Sequence, residues 1–331
     1  MASLDTPLCE RLGIEFPIIQ APIGSASTPQ LAAAVSNAGA LGMLSVTWRS
    51  LEELRRILRE TRKLTARPFG VNLVLEWPQE ERLRVCLDEG VRIVSFFWGD
   101  PGPLARQAQA AGALVLHSVS SAREARDTVD AGADLVVAQG WEAGGHVRGQ
   151  VTTLALVPRV VDAVAPTPVV AAGGIADGRG LAAALVLGAA GAWIGTRFLA
   201  SEEAAAHPLY KESVVRAAET DTFYSTLFDG GWPNAPHRVL RNSTVATWEA
   251  AGSPPPGKRP GEGEIVARFP DGEPVSRYSD VPPLPDMTGE VEALPHYAGQ
   301  SVGLVTGVRP AGDIVRDLME EARAALGRWT P

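Results

Sequence analysis

The chain reads Ala171-Ala172-Gly173-Gly174-Ile175-Ala176-Asp177-Gly178 near its middle, and this stretch decides the fold. The apolar run 168–172 is typical of a strand that is buried on both faces. Residues 178–187 have helical character, and Asp177 is placed to cap that helix at its N-terminus. The stretch therefore predicts a buried strand, a tight turn and a helix in direct succession.

Copies of a related pattern occur on both sides of this stretch. In each copy a helical segment ends in Gly, and a small residue and a short apolar run follow it. Gly just after a helix adopts the left-handed conformation, and the apolar run is typical of a parallel strand. The glycines of these copies are Gly39, Gly90, Gly112, Gly132 and Gly188.

Eight strands and seven helices alternate strictly in the resulting assignment. The strands are predicted at 17–21, 40–45, 68–73, 91–96, 113–117, 133–138, 168–172 and 192–195. The helices are predicted at 28–37, 51–64, 79–89, 103–110, 122–131, 154–164 and 178–187. Strict alternation favours an α/β fold, a (β/α)8 TIM barrel, over an open doubly wound sheet. A Gly-x-Gly-x-x-Gly fingerprint does not follow the first strand, which disfavours a dinucleotide-binding fold.

The sequence changes in character after the eighth strand. Residues 208 to about 250 have a helical pattern, whereas residues 253–295 contain ten of the 26 prolines. Within the Pro-rich part we predict one hairpin, with strands at 265–269 and 275–278. A final helix from 311 to about 326 has an apolar face that consists of Ile314, Leu318 and Ala322.

These segments predict three parts of the chain. We expect residues 1–220 to form the barrel, and residues 221–302 to form a helical and Pro-rich cap or lid over the active site. Residues 303–331 form a closing helix that packs on the barrel. Long loops inside compact domains are usually lids or binding loops. A floppy surface insertion at 253–295 is the alternative.

Composition and charge exclude several classes of protein. The net charge of −8 and a pI near 5.3, with scattered basic residues, argue against a nucleic-acid-binding protein. Two cysteines cannot form a disulfide framework, and we find neither a signal peptide nor a membrane-spanning apolar run. We therefore expect a cytoplasmic enzyme that does not bind a membrane. A homodimer is compatible with this composition.

Reactive groups that many barrel enzymes use are missing from the ends of the predicted strands, where barrels carry out their chemistry. The chain's lysines, Lys63, Lys211 and Lys258, lie elsewhere, which argues against a Schiff-base mechanism. Carboxylates are not clustered there, which argues against a metal site or glycoside hydrolysis. The remaining side chains are small, neutral or amides, and they suit a planar cofactor that forms hydrogen bonds.

Two glycine turns predict a phosphate site. Gly173-Gly174 follows the seventh strand and opens a helix, and Gly195-Thr196 ends the eighth strand. Bare N–H groups and a helix N-terminus at these strand ends are the usual phosphate site of such barrels. Two ordinary turns are the alternative, and we favour a ligand that carries a phosphate.

A glycine-rich loop at 139–149 contains the candidate catalytic residue, His146. The glycines leave the imidazole accessible, and imidazole is the usual general base near neutral pH. A structural histidine is the alternative. Glu142 precedes His146 by four residues, but the glycines between them disfavour a helix and no third ligand supports a metal site. His117, which ends the fifth strand, is interpreted as a core or pocket-wall residue.

Together these motifs resemble nitronate monooxygenases, formerly called 2-nitropropane dioxygenases, and the related FMN-dependent enoyl-acyl-carrier-protein reductases. The resemblance covers most of residues 13–220 and extends to a C-terminal piece. The motifs that carry it are Gln20-Ala21-Pro22, Val71-Asn72, Gln139, Glu142-Ala143-Gly144-Gly145-His146, Ala172-Gly173-Gly174-Ile175, Gly195-Thr196-Arg197-Phe198 and Tyr297-Ala298-Gly299-Gln300-Ser301.

The resemblance implies a barrel that binds FMN and oxidises a small-molecule substrate with O2. By motif, His146 would remove the α-proton of a nitroalkane or orient a nitronate. The implied flavin-binding residues are Ala21, Pro22 and Ile23 against the isoalloxazine, Asn72 and Gln139 at its edges, Gly144 and Gly145 beside it, Gly173, Gly174, Gly195 and Thr196 at the phosphate, and Gly299, Gln300 and Ser301 on its other side.

Arg148 departs from the family pattern, in which a single residue often separates the histidine from the next glycine. Arg148 could pair with an acidic substrate or with a nicotinamide phosphate. An NAD(P)H-dependent FMN reductase of enoyl thioesters, quinones or a secondary metabolite is therefore an alternative function. A non-redox barrel that acts on a phosphorylated small molecule, or a non-catalytic flavin binder, is a further alternative.

Overall fold

The computed structural model of the protein describes residues 4–328. The α-helices in this range are α1 Pro7–Leu12, α2 Pro29–Asn37, α3 Leu51–Leu64, α4 Glu80–Asp88, α5 Gly102–Ala110, α6 Ala122–Asp130, α7 Thr153–Val164, α8 Gly178–Val186, α9 Thr196–Leu199, α10 Pro208–Arg216, α11 Ser243–Ala250 and α12 Ala311–Gly327. The strands are β1 Ile18–Gln20, β2 Gly42–Ser45, β3 Phe69–Val74, β4 Ile93–Phe97, β5 Leu114–Val119, β6 Leu135–Gln139, β7 Gly145–His146, β8 Val169–Ala172, β9 Gly191–Ile194, β10 Thr222–Ser225, β11 His237–Leu240, β12 Ile265–Arg268, β13 Pro274–Ser276 and β14 Thr288–Gly289.

Eight parallel strands form a barrel in the order β1-β9-β8-β6-β5-β4-β3-β2. The two ends of this sheet meet, because the N–H of Gln20 donates to the carbonyl of Leu41 at 2.9 Å and the N–H of Leu41 donates to that of Ile18 at 2.9 Å. A parallel bridge between Ile19 and Leu41 joins β1 to the chain just before β2. The expected (β/α)8 barrel is confirmed.

The helices of the barrel begin where short polar side chains cap them. Thr28, Ser50 and Ser121 accept from backbone N–H groups at the start of α2, α3 and α6. Asp177 accepts from the N–H groups of Arg179 and Gly180, so its expected role as the N-cap of α8 is confirmed. Such caps satisfy N–H groups that a helix leaves without partners. The seven predicted helices all form within one or two residues of their expected bounds.

The barrel strands bury apolar side chains on both faces. One face packs inside the barrel, with Met43, Leu116 and Val137 in a common cluster. The other face packs under the helices, as Val136 and Val169 do. Parallel strands that are buried on both sides give continuous apolar sequences, which is why the strands could be located from the sequence.

The helical pattern expected for 208–250 is wrong in its middle. The helices α10 and α11 form at the two ends of this range, but β10 and β11 pair antiparallel between them. β11 also pairs with β7 in the loop that follows β6. The partner of β11 comes from a distant part of the chain, so local periodicity carries no signal for it. The predicted hairpin is confirmed as β12 and β13, and β14 adds to its other edge.

The C-terminal helix α12 packs on the barrel. Its residues Ile314, Leu318 and Ala322 are buried in one core cluster with Leu31 of α2 and Leu181 of α8, which confirms the predicted apolar face. The three-part division of the chain stays a prediction. No helix in the described range 4–328 is both long enough and apolar enough to cross a membrane.

Candidate active site

His146 lies at the mouth of the barrel, just past the carboxyl end of β6, in the short strand β7. β7 pairs antiparallel with β11, and His146 is opposite His237 in the register. The amide of Gln139, the last residue of β6, donates to the carbonyl oxygen of His146 at 3.1 Å. The backbone at His146 is therefore held both by the barrel and by the segment that follows it.

Three rings surround the imidazole of His146. The ring centroids of Trp232, His237 and Tyr297 lie 4.3, 5.5 and 5.6 Å from it. The residue is half-buried as a whole, but its Nε2 is buried and has no hydrogen-bond partner among residues 4–328. Burial, and to a smaller extent His237, lowers the pKa of His146 to about 3. The imidazole is therefore neutral at physiological pH.

The polar groups beside His146 have partners of their own. Nδ1 of His237 lies 2.9 Å from the carbonyl of Ala235, and its Nε2 accepts from the N–H of Phe228 at 3.2 Å. Since Nε2 accepts, the neutral His237 ring carries its proton on Nδ1. The hydroxyl of Tyr297 donates to a backbone carbonyl, that of Asp280, at 2.8 Å. Within residues 4–328 no carboxylate forms a hydrogen bond with the His146 ring.

Two amide side chains, those of Asn72 and Gln139, lie in a polar layer inside the barrel mouth. Asn72 of β3 lies opposite Ser45 and Ser95 in the register and is only 5% exposed. The hydroxyl of Ser95 donates to Oδ1 of Asn72 at 2.5 Å, so the amide NH2 of Asn72 is turned the other way. Together with Gln139, this layer offers amide groups where a planar ligand would meet the strand ends.

Some glycines of the site are required by protein packing. A Cβ on Gly144 would lie 2.4 Å from the N–H nitrogen of Gly299, and one on Gly173 would lie 2.9 Å from the carbonyl oxygen of Gly140. Contacts this short exclude any side chain. These two residues are glycines because the chain approaches itself, whatever ligand the mouth holds.

Other glycines leave an open face. A Cβ on Gly145 would meet nothing within 4 Å, and one on Gly174 would meet only Glu142, at 3.5 Å or more. A Cβ on Gly195 would be in ordinary contact with Ala21 at 3.5 Å and Ile23 at 3.6 Å. The structure therefore brings the predicted residues 21–23 next to the second glycine turn.

The first N–H groups of α8 have partners within the protein. Asp177 accepts from the N–H groups of Arg179 and Gly180, and the carboxylate of Glu321 on α12 accepts from the N–H of Gly178 at 2.8 Å. The phosphate site expected at this strand end stays a prediction. The glycine turns and Thr196 remain as the candidate phosphate cradle.

The segment 297–301 packs against this cradle. The N–H of Gly299 donates to the hydroxyl of Thr196 at 3.0 Å, and that of Gln300 donates to the carbonyl of Glu142 at 2.9 Å. Ser301 is buried. The structure thus joins the C-terminal motif to the glycine-rich loop and to the second glycine turn, and the flavin contact of this motif stays a prediction.

Glu142 and His117 have structural roles in their observed positions. The carboxylate of Glu142 accepts from the N–H and the hydroxyl of Thr153, the first residue of α7. His117 is 1% exposed and pairs in register with Phe96 and Val136, on the face that packs under the helices. Burial, aided by the charge of Arg148, lowers its pKa to about 4.

Arg148 lies at the rim of the mouth. It forms an ion pair with Glu124, and its guanidinium lies 5.4 Å from the ring centroid of Trp98. Its side chain is 40% exposed, so the group is accessible from solvent. Arg148 is therefore paired within the protein, and part of its side chain is still exposed to solvent.

Sequence reasoning missed an aromatic cluster at the mouth. Trp232 is 3% exposed, and its ring centroid lies 5.1 Å from that of Trp77, 4.9 Å from that of Trp98 and 6.5 Å from that of Phe97. Trp232 belongs to residues 226–236, here called the Trp232 loop. The sequence Gly230-Gly231-Trp232-Pro233 breaks any helix, and this was the available signal.

Comparison with known proteins identifies the family. A family model described as nitronate monooxygenase matches residues 5–81 and 77–321 of the chain. The chain belongs to the nitronate monooxygenase family. The matched ranges include every candidate site residue, from Ala21 to Ser301.

Similarity to individual proteins supports membership of the nitronate monooxygenase family. It is 35% identical over 360 aligned positions to the nitronate monooxygenase of Pseudomonas aeruginosa, covering 94% of this chain and 97% of that protein. It is 41% identical over 250 positions to a hydroxy-methyl-oxo-octahydro-indene-carboxyl-CoA dehydrogenase of Mycobacterium tuberculosis, covering 75% of this chain and 69% of that protein. The structure of FabK from Thermotoga maritima superposes with a TM-score of 0.84 at 36% identity, covering 98% and 97% of the two chains. The protein is an oxidoreductase.

Proposed function

We propose that this protein is an FMN-dependent oxidoreductase that oxidises alkyl nitronates or nitroalkanes with O2, and that His146 acts on the substrate. One observation carries the proposal. A neutral imidazole with an unpartnered, buried Nε2 lies at the barrel mouth, beside glycines whose open faces admit a ligand. Membership of the nitronate monooxygenase family supports the reaction class.

The residues at the mouth fit FMN. Gly174, Gly195 and Thr196 offer a cradle for one phosphate, and the open face of Gly145 leaves space beside His146. The amides of Asn72 and Gln139 lie where the edge of a flat ring would need hydrogen-bond partners. FMN, when bound there, supplies the electron transfer and the reaction with oxygen.

The chain's own residues handle the proton and the water. Nε2 of neutral His146 can accept the α-proton of a nitroalkane or receive a hydrogen bond, while Trp232 and Tyr297 exclude water from it. A base whose conjugate acid has a pKa of about 3 accepts a proton only weakly. We therefore expect preformed nitronates, which have already lost the proton, to be oxidised faster than neutral nitroalkanes.

The substitution His146→Asn tests this role, because it keeps a hydrogen-bonding side chain of similar size. We expect flavin retention to be unchanged, and turnover of the neutral nitroalkane to fall by roughly 10²-fold, the low end of the usual contribution of a general base, because a base with so low a pKa accepts a proton only weakly. Turnover of the nitronate should fall much less. Steady-state rates with both forms of one substrate measure this. Equal losses would assign His146 to orientation, and no loss would make it structural.

An NAD(P)H-dependent FMN reductase is the second candidate. Two observations favour it: accessible Arg148 at the rim, and the relative from Mycobacterium tuberculosis, whose name gives a carboxyl-CoA compound as substrate. Anaerobic mixing of the flavin-loaded protein with NADPH, NADH or a nitronate distinguishes the two functions. The reagent that bleaches the flavin identifies the electron donor, and a protein purified without flavin colour would contradict both functions.

A further inference from the structure

We propose that Trp232 is a positioning residue for His146. Its indole ring stacks on the imidazole and keeps the imidazole oriented toward the substrate. Stacking thereby does what a hydrogen bond to a carboxylate does for other functional histidines. The inference rests on the proposed role of His146 in catalysis and names a residue on which that role depends.

The contact between the two rings has the geometry of a tilted stack. Their centroids are 4.3 Å apart, and their planes make an angle of 31°. The rings of Tyr297 and His237 are more than 1 Å further away, and His237 meets the imidazole edge-on at 68°. Trp232 therefore covers the face of His146 more closely than the other two rings do.

Among residues 4–328, no hydrogen bond to the His146 ring fixes the rotation of the imidazole. Gln139 and the pairing with β11 hold the backbone of His146, but a side chain can still rotate about its own bonds. A functional histidine usually has its ring orientation set by a hydrogen bond to one of its nitrogens. His237 and Tyr297 direct their polar atoms to the backbone instead.

The groups that face the His146 ring are also uncharged. Burial lowers the pKa of His237 to about 4 and raises the pKa of Tyr297 well above its usual value. His237 belongs to β11, and Tyr297 belongs to the C-terminal segment that packs on the glycine-rich loop. Both are therefore neutral at pH 7, so electrostatic attraction does not hold the imidazole in place either.

Trp232 is itself firmly held. Its ring packs among Trp77, Trp98 and Phe97 on the barrel side. On the other side, the Trp232 loop donates from the N–H of Gly230 to the carbonyl of Tyr278 at 3.0 Å. A ring that packs among three others, on a loop whose backbone is tied to Tyr278, can transmit its orientation to the imidazole that stacks on it.

The experiment uses the full-length, flavin-loaded protein with Trp232→Leu, Trp232→Phe and Trp248→Leu. Leu is apolar but has no ring face, whereas Phe retains one. Trp248→Leu is the matched control, since Trp248 lies on α11 and its ring contacts Phe223, not Trp232 or His146. The readouts are kcat and KM for a nitronate, and the NMR titration of His146 in histidine-labelled protein, assigned with His146→Asn.

For Trp232→Leu we expect kcat to fall by about 10–100-fold, the usual effect of misplacing a catalytic group by a small distance, with little change in KM. The titration midpoint of His146 should rise by more than about one pH unit, because water reaches Nε2. Trp232→Phe should restore both quantities, and Trp248→Leu should leave both close to the parent.

A folded Trp232→Leu protein with the parent's kcat and the parent's His146 titration would overturn the proposal. If that variant does not fold, Trp232→Met replaces it, since a flexible Met side chain fills irregular space without a ring. An active His146→Asn protein would instead contradict the proposed function. The titration would still report on Trp232, so the two failures are distinguishable.

Discussion

Some glycines at the mouth are required by protein packing, whereas others have an open Cβ position. A glycine of the second kind allows a test of the phosphate cradle. Gly174 has a φ of +71°, and its Cβ position is open except for the Glu142 side chain. We expect Gly174→Ala to fold and to lose FMN, because the added methyl group lies where phosphate oxygens would approach the backbone. Flavin absorbance per protein after gel filtration measures this.

Gly112→Ala is the matched control for that substitution. Gly112 has a φ of +76°, nothing lies within 4 Å of its Cβ position, and it precedes β5, away from the mouth. The two variants carry the same backbone strain, so a difference in flavin content reports only on the ligand. Full flavin content in both variants would make Gly174 an ordinary turn residue.

The residues of the site could be predicted from sequence only where the signal is local. His146 and Asp177 lie next to glycines that mark strand ends, so their positions in the fold could be predicted from the sequence. Trp232 comes from a distant segment that only the fold brings against His146. Glu321 likewise reaches Gly178 from the C-terminal helix, and the sequence could not reveal that it occupies the helix N-terminus.

At the scale of elements, the Pro-rich segment supports the Trp232 loop through one arginine. Arg259 donates to the carbonyl of Leu227 at 3.0 Å and to the carboxylate of Asp229 at 2.8 Å. Its side chain is only 8% exposed and stacks on Tyr278. This segment therefore affects the site by holding the loop that carries Trp232.

We expect Arg259→Met to destabilise the protein by about 2–3 kcal/mol, since it removes one partner of a largely buried ion pair. Protease cleavage within 226–236 should become faster in the same variant. Chemical denaturation and limited proteolysis measure the two effects. Arg179→Met is the control, because its pair with Asp177 is formed by an arginine that is 69% exposed, and it should cost less than about 1 kcal/mol. Equal effects of the two substitutions would contradict the supporting role.

The barrel elements and the later elements differed in how well the sequence predicted them. Each barrel unit repeats the same local sequence pattern: a capped helix, a glycine and a buried strand. Each unit could therefore be predicted independently of the others. The strands β10 and β11 lack such a repeat: β10 pairs with β11, and β11 pairs with β7 from a distant part of the chain. Local periodicity therefore could not predict these two strands.

At the scale of the whole molecule, buried histidines couple stability to pH. His117, His237 and His296 are each 2% exposed or less, and burial lowers the pKa of each to about 4. An unfolded chain has a histidine pKa near about 6.5. Between those values the unfolded state binds more protons than the folded state, so the free energy of unfolding falls as the pH falls.

We expect this loss to appear between pH 7 and pH 5, where most carboxylates remain ionised. Each of the three histidines should contribute about 1–2 kcal/mol over that interval, from a slope of at most about 1.4 kcal/mol per pH unit. Urea denaturation at both pH values measures it. The ring centroids of His296 and Tyr210 lie 4.8 Å apart. The substitution His296→Phe keeps a ring against Tyr210 and removes one titrating group. The variant should lose about 1–2 kcal/mol less than the parent on acidification. An identical loss would show that His296 takes up its proton without unfolding, and that burial does not keep it neutral.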